Sequence, residues 1–114
     1  MKDDLAFIEH ILDSINAIKE FSKDINKETL VSDRLRQSAI VREIEIIGEA
    51  TRNISENLKN KHPEIEWREI VGTRDKMIHH YFGVDLNIIW DIVNINLPDL
   101  KEKILKIKKE LEHF

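Results

Sequence analysis

Between residues 74 and 81 the chain reads RDKMIHHY, which gathers an arginine, two histidines and the only tyrosine into eight positions. These residue types suit the handling of phosphate and protons. On a helix, Arg74 and His79 differ by about 140° of rotation and ~7.5 Å of rise, so they flank one edge a turn apart. A guanidinium holds phosphate through paired hydrogen bonds. An imidazole near a helix C-terminus is favoured in its protonated form and can pass protons in either direction. Together they suit RNA cleavage without a metal. A base takes the 2′-hydroxyl proton, Arg74 stabilises the crowded anionic phosphorus centre, and an acid protonates the leaving oxygen. One histidine does not easily serve both ends of that reaction. A two-fold dimer placing two such edges across one cleft would supply a second Arg/His pair. The same spacing also suits plain structural roles: Arg74 pairing near Asp75 or capping carbonyls, His79 half-buried in a bundle, Tyr81 anchoring a helix end.

Other chemistries fall away. There is no glycine-rich phosphate loop and no HExxH pair, and adjacent His79 and His80 project about 100° apart, too divergent to chelate one metal together. His10 and His113 read as solvated helix positions, and His62, before Pro63, as a turn residue. Asn53-Ile54-Ser55 matches a glycosylation acceptor, which carries no meaning in a cytoplasmic chain. With no cysteine, disulfides and thiolate zinc sites are excluded.

The elements that must position these residues are helical. A length of 114 residues, 41% hydrophobic and 35% charged, predicts one soluble globular domain over residues 1–114. No stretch approaches the ~20 apolar residues that span a bilayer, and the acidic start MKDDLAFIEH lacks the order of a signal peptide. A cytoplasmic location without membrane contact is the expectation. The net charge of −4 argues against a broad, salt-sensitive nucleic-acid groove and against a general DNA binder, though a cleaving site needs only local cations.

Glycine occurs three times and proline twice, so turn punctuation is sparse. Residues 4–22 carry Leu5, Ile8, Ile11, Leu12, Ile15, Ile18 and Phe21 at three- and four-residue steps, predicting an amphipathic helix. The polar run SKDINKET breaks it. A long second helix is expected from Ser32 to Lys61, ending before His62-Pro63. It bears one apolar stripe through Leu35, Ala39, Ile46, Ala50, Ile54 and Leu58, with Ile40, Ile44, Ile47 and Gly48 beside it. That width suits packing against a third helix or against a second copy of the chain. A third helix is expected from Glu66-Trp67 through Tyr81, stopped by Gly83, a fourth over Leu86–Ile95, and a last from Pro98. The fold class is therefore all-α, an antiparallel bundle of four to five helices.

The segment RDKMIHHYFGVD, preceded by PEIEWREIVGT and followed by LNIIWDIVNINLPDLKEKI, resembles the HepT-like branch of the HEPN superfamily. The branch's signature, Arg-X4-His-X-Tyr, fits without a gap as Arg74, His79 and Tyr81. The segment IVREIEIIGEATRNIS is similar to the family's second-helix core, so the likeness spans nearly the whole chain. The resemblance implies a helical bundle that pairs as a two-fold dimer, with Arg74 and His79 catalytic in a metal-independent endoribonuclease. It implies a toxin whose partner is an MntA-like nucleotidyltransferase antitoxin. That partner uses ATP to place AMP on Tyr81, so AMP is a covalent modification and no cofactor is required. Asp75, in the motif's first variable slot, is placed to orient Arg74, while His80 inherits no role. An alternative reading keeps the same partner but makes the chain an idle helical subunit that docks the nucleotidyltransferase and positions its substrate.

Overall fold

A computed structural model describes residues 2–77 and 85–113; His79, His80, Tyr81, Phe82 and the expected stop at Gly83 lie outside the described residues. Those described are all-α and contain no strand. The order is α1 (Lys2–Ser22), α2 (Lys27–Ser32), α3 (Arg34–Asn53), α4 (Glu56–Lys61), α5 (Trp67–Met77), α6 (Leu86–Asp91), a π-helical turn (Ile92–Asn96) and α7 (Leu97–Glu112).

α1 opens on Asp3 and Asp4, charges that suit the positive end of the helix dipole. Its inner face is Ile8, Ile11, Leu12, Ile15 and Ile18, all buried. The chain then turns through Asp24 at φ 65°, a left-handed conformation that aspartate tolerates better than most residues. The polar run that follows is not only a break. The Asn26 side chain accepts from the Thr29 N–H at 2.9 Å, and the Thr29 hydroxyl accepts from the Asn26 N–H at 2.8 Å. This reciprocal cap starts α2, which buries Leu30.

The expected single helix from Ser32 to Lys61 is in fact two. α3 stops at Asn53, Ile54 becomes extended with ψ 141°, and Ser55 caps α4 by accepting from the Leu58 N–H. The cause lies far away in sequence. Asp4, buried at the start of α1, accepts from the Ser55 N–H at 2.9 Å and from its hydroxyl at 2.7 Å. These two bonds hold the backbone of the break, which local periodicity cannot see.

α3 lies between α1 and α5. Ile40, Ile44 and Ile47 fill the core, whereas Leu35, expected in a buried stripe, is 82% exposed. At Gly48 the α5 backbone comes close: a Cβ there would stand 3.6 Å from the Ile70 carbonyl oxygen and 3.8 Å from that of Val71. The turn between α4 and α5 is locked by Trp67, whose indole N–H donates to the His62 carbonyl at 3.0 Å and the Lys59 carbonyl at 3.2 Å. His62 itself is the C-cap of α4 and is buried, with Nδ1 3.1 Å from Glu64 Oε2. The Glu64 carboxyl is held below its usual range, first by its own backbone N–H and then by His62.

The last two expected helices are continuous. Residues from Leu86 to Glu112 stay helical through Pro98, because the chain widens to a π turn in which the Leu97 N–H donates to the Ile92 carbonyl. Proline has no N–H to donate and its ring crowds the carbonyl four residues back. A widened turn accommodates both without ending the helix.

Candidate functional site

Arg74 sits on the outer side of α5, 58% exposed, and its Nε–H donates to Glu45 Oε2 of α3 at 2.6 Å. The contact follows from the close approach at Gly48. Glu45 lies one turn before Gly48, Arg74 one turn after Ile70 and Val71, and the two helices run antiparallel there. A short bond of this kind between ionised groups is directional, so it aims the guanidinium. Asp75 is a looser neighbour. Its Oδ1 is 3.9 Å from Arg74 Nη1, and the side chain is 88% exposed. The carboxylate that grips Arg74 is therefore one that reading the motif alone passes over. Glu45 is 29 positions away and is one of several glutamates on α3, so nothing in the local sequence marks it.

His79 and Tyr81 lie outside the described residues, but both flanks of that segment are fixed. Met77, fully buried, accepts through its carbonyl from the Asp85 N–H at 2.8 Å. Asp85 in turn caps α6, accepting from the N–H groups of Asn87 and Ile88.

Arg74 forms one wall of a cleft of about 410 Å³ that runs along α3 toward α1, where Phe7 and His10 close the other wall. His10, expected to be merely solvated, is exposed but stands with its ring edge-on to Phe7, centroids 6.2 Å apart. Ile46 and Ala50 lie along the floor, with Arg42, Glu49 and Asn53 spaced along the same α3 face. A larger depression of about 490 Å³ lies between α5 and the π turn and is ringed by five carboxylates against Lys76 and Lys103. Two of them, Glu66 and Glu69, share a hydrogen bond that holds the Glu66 carboxyl above its usual range. That depression carries more carboxylates than ammonium groups, whereas in the smaller cleft Arg42 and Arg74 stand against Glu45 and Glu49. Among the described residues no three His, Cys, Asp or Glu side chains are grouped to hold a metal ion, and no helix is long and apolar enough to cross a membrane.

An all-α bundle with a carboxylate-anchored arginine at the head of an Arg-X4-His-X-Tyr signature defines the class of protein. The chain belongs to the ribonuclease HepT-like family, whose model matches residues 11–107. It is 45% identical to a probable ribonuclease HepT of Thermococcus cleftensis, over 90% of this chain and 94% of that one. A candidate RNase of Methanocaldococcus jannaschii is 40% identical over 97% of this chain and 92% of its own length. A second protein of that organism, described as a gamma-glutamylcyclotransferase and candidate RNase, is 42% identical over 97% of this chain, which spans half of it. No solved structure matches.

Proposed function

We propose that this chain is an endoribonuclease toxin in which Arg74 clamps the scissile phosphate and His79 transfers protons. A base removes the 2′-hydroxyl proton, O2′ attacks phosphorus, the P–O5′ bond breaks, and the departing O5′ takes a proton. The observation that supports this most is the Arg74–Glu45 bond, which presents an aimed guanidinium at an open cleft in a chain whose relatives carry RNase names. The second Arg/His pair would come from a two-fold dimer. Regulation is assigned to Tyr81. An MntA-like nucleotidyltransferase would move AMP from ATP to its hydroxyl, with pyrophosphate leaving. The bulky phosphodiester beside Arg74 then competes with substrate phosphate for the same guanidinium. This chemistry requires no resident cofactor and takes place in the cytoplasm.

The test is cleavage of RNA by purified protein carrying no AMP. Wild type should cut, and Arg74→Ala or His79→Ala should abolish both cleavage and growth arrest while the helical fold persists. A wild-type protein that cut no RNA and arrested no cells would sink the enzyme reading. Intact-mass measurement after co-expression with the partner should show AMP on wild type and not on Tyr81→Phe. One observation favours the idle-subunit alternative: Glu45 and Glu49 both line the cleft and cancel Arg42 and Arg74 in formal charge. Partner binding without RNA cleavage would decide for it.

A further inference from the structure

We propose that the cleft beside Arg74 is a nucleotide subsite, which stacks one base of single-stranded RNA on the Phe7 ring, with His10 standing edge-on beside it, and places a neighbouring phosphate on Arg42. The inference deepens the ribonuclease reading and rests on it for the identity of the ligand.

The rings come first. Phe7 is half-buried and packs against the core, so its orientation is fixed before any ligand arrives. His10, one turn along α1, stands edge-on to it at 82° and is exposed. A preset aromatic surface stacks a base at little conformational cost, and it does so for any base because every base has a π face.

Charge is the second point. The cleft's formal charges cancel, with Arg42 and Arg74 against Glu45 and Glu49. Both carboxylates, however, are already engaged. Glu45 is bonded to Arg74 at 2.6 Å, and Glu49 lies 3.4 Å from Arg52, which is outside the cleft lining. Arg42 makes no ion pair among the described residues, so within the cleft its guanidinium is uncommitted while both carboxylates are taken. Arg42 is one turn from Glu45 on the same face of α3, which sets it beside Arg74 with the engaged carboxylate between them. Two guanidinium groups along one edge match successive phosphates of a strand better than a single bound ion.

The third point is hydrogen bonding. Asn53 donates its amide N–H to the Glu49 carbonyl at 2.9 Å, which fixes the side chain and leaves its own carbonyl open as an acceptor for a base amino group. A cleft of about 410 Å³ is of the size that small ligands fill.

The experiment is fluorescence anisotropy with two labelled decamers. One is 2′-O-methyladenosine, which cannot be cleaved through a 2′-hydroxyl; the other has the same backbone without bases. Phe7→Ala should weaken binding of the base-bearing decamer about tenfold, near 1.4 kcal/mol, and leave the abasic one unchanged. Phe7→Tyr should bind as wild type. Exposed His10→Ala should lose a smaller part of the same discrimination, which keeps the test open if Phe7→Ala fails to fold. Arg42→Ala should weaken both decamers and flatten the salt dependence by about 0.7 per decade of salt. Equal weakening of both decamers by Phe7→Ala, or no weakening of either, would overturn the subsite. So would a variant that kept RNA affinity but lost self-association in light scattering, since a second copy would then cover this face. Wild type that cleaved no RNA yet discriminated between the decamers would sink the catalytic reading alone.

Discussion

Glu45→Ala removes the acceptor that aims Arg74, and with it one of the two carboxylates that line the cleft. A hydrogen bond between ionised partners nets ~1.5–3 kcal/mol when shielded from water. Here Arg74 is 58% exposed and Glu45 29%, so solvent recovers much of it and about 1 kcal/mol is left. Freed of Glu45, the guanidinium spreads over the rotamers of a long side chain and is in position less often. The same ~1 kcal/mol taken from transition-state stabilisation is about fivefold in rate. The assay is initial-rate cleavage of a fluorophore-quencher RNA by wild type, Glu45→Ala and Glu45→Gln. The loss should fall on kcat more than on KM, since the clamp tightens as charge builds at phosphorus. Glu45→Gln keeps a neutral acceptor for the Nε–H and should lie between the other two. Thermal melting should move little, because so exposed a pair contributes little to folding. Glu45→Ala at the wild-type rate, or a loss that Gln does not partly recover, would refute the positioning argument.

Two further expectations concern the frame around the site. Asp4→Ala should lose ~2–3 kcal/mol in urea unfolding, because it strips two partners from Ser55 at a buried position and frees the break between α3 and α4. Glu66→Gln should raise Tm near neutral pH but not below about pH 4. The Glu66 carboxyl is raised above its ordinary value by Glu69, so its ionisation opposes folding. That penalty is absent below the unfolded value and grows as pH rises through the folded one, with Lys76 and Lys103 softening it.

Helices with one clear apolar face were legible from the residues alone. α1 follows its three- and four-residue spacing, and the end of α4 at His62-Pro63 follows from the backbone restriction before proline. What was missed is non-local or depends on caps. The break at Ile54 is made by Asp4, 51 residues away from Ser55, and the grip on Arg74 comes from Glu45 on another helix. Leu35 fits the pattern of a buried stripe, yet among the described residues no element covers it. Periodicity reports which residues share a face, not whether a neighbour lies over it. Two of these features had a local signal: Asn26 and Thr29 at capping-box spacing before α2, hidden inside a run that otherwise reads as loop, and Ser55 as the N-cap of α4. The motif residues followed a parallel course. Their types and spacing were visible at once, while the roles of Phe7, His10 and Arg42 came only from the way α1 and α3 meet.

The π turn at Ile92–Asn96 works as a gear change in the apolar register. Upstream the buried positions are Ile89 and Ile92; downstream they are Leu97, Leu100, Ile104 and Ile107. All adjacent steps are three or four residues except Ile92 to Leu97, which is five, and five residues on an ordinary helix swing a side chain about 140° off the face. Widening that one turn restores alignment, so both halves of the rod face the same core. Removing one residue between Val93 and Asn96 would bring the step from Ile92 to the next buried leucine down to four, but it would also take away the widened turn that accommodates Pro98, so the rod should kink or end there.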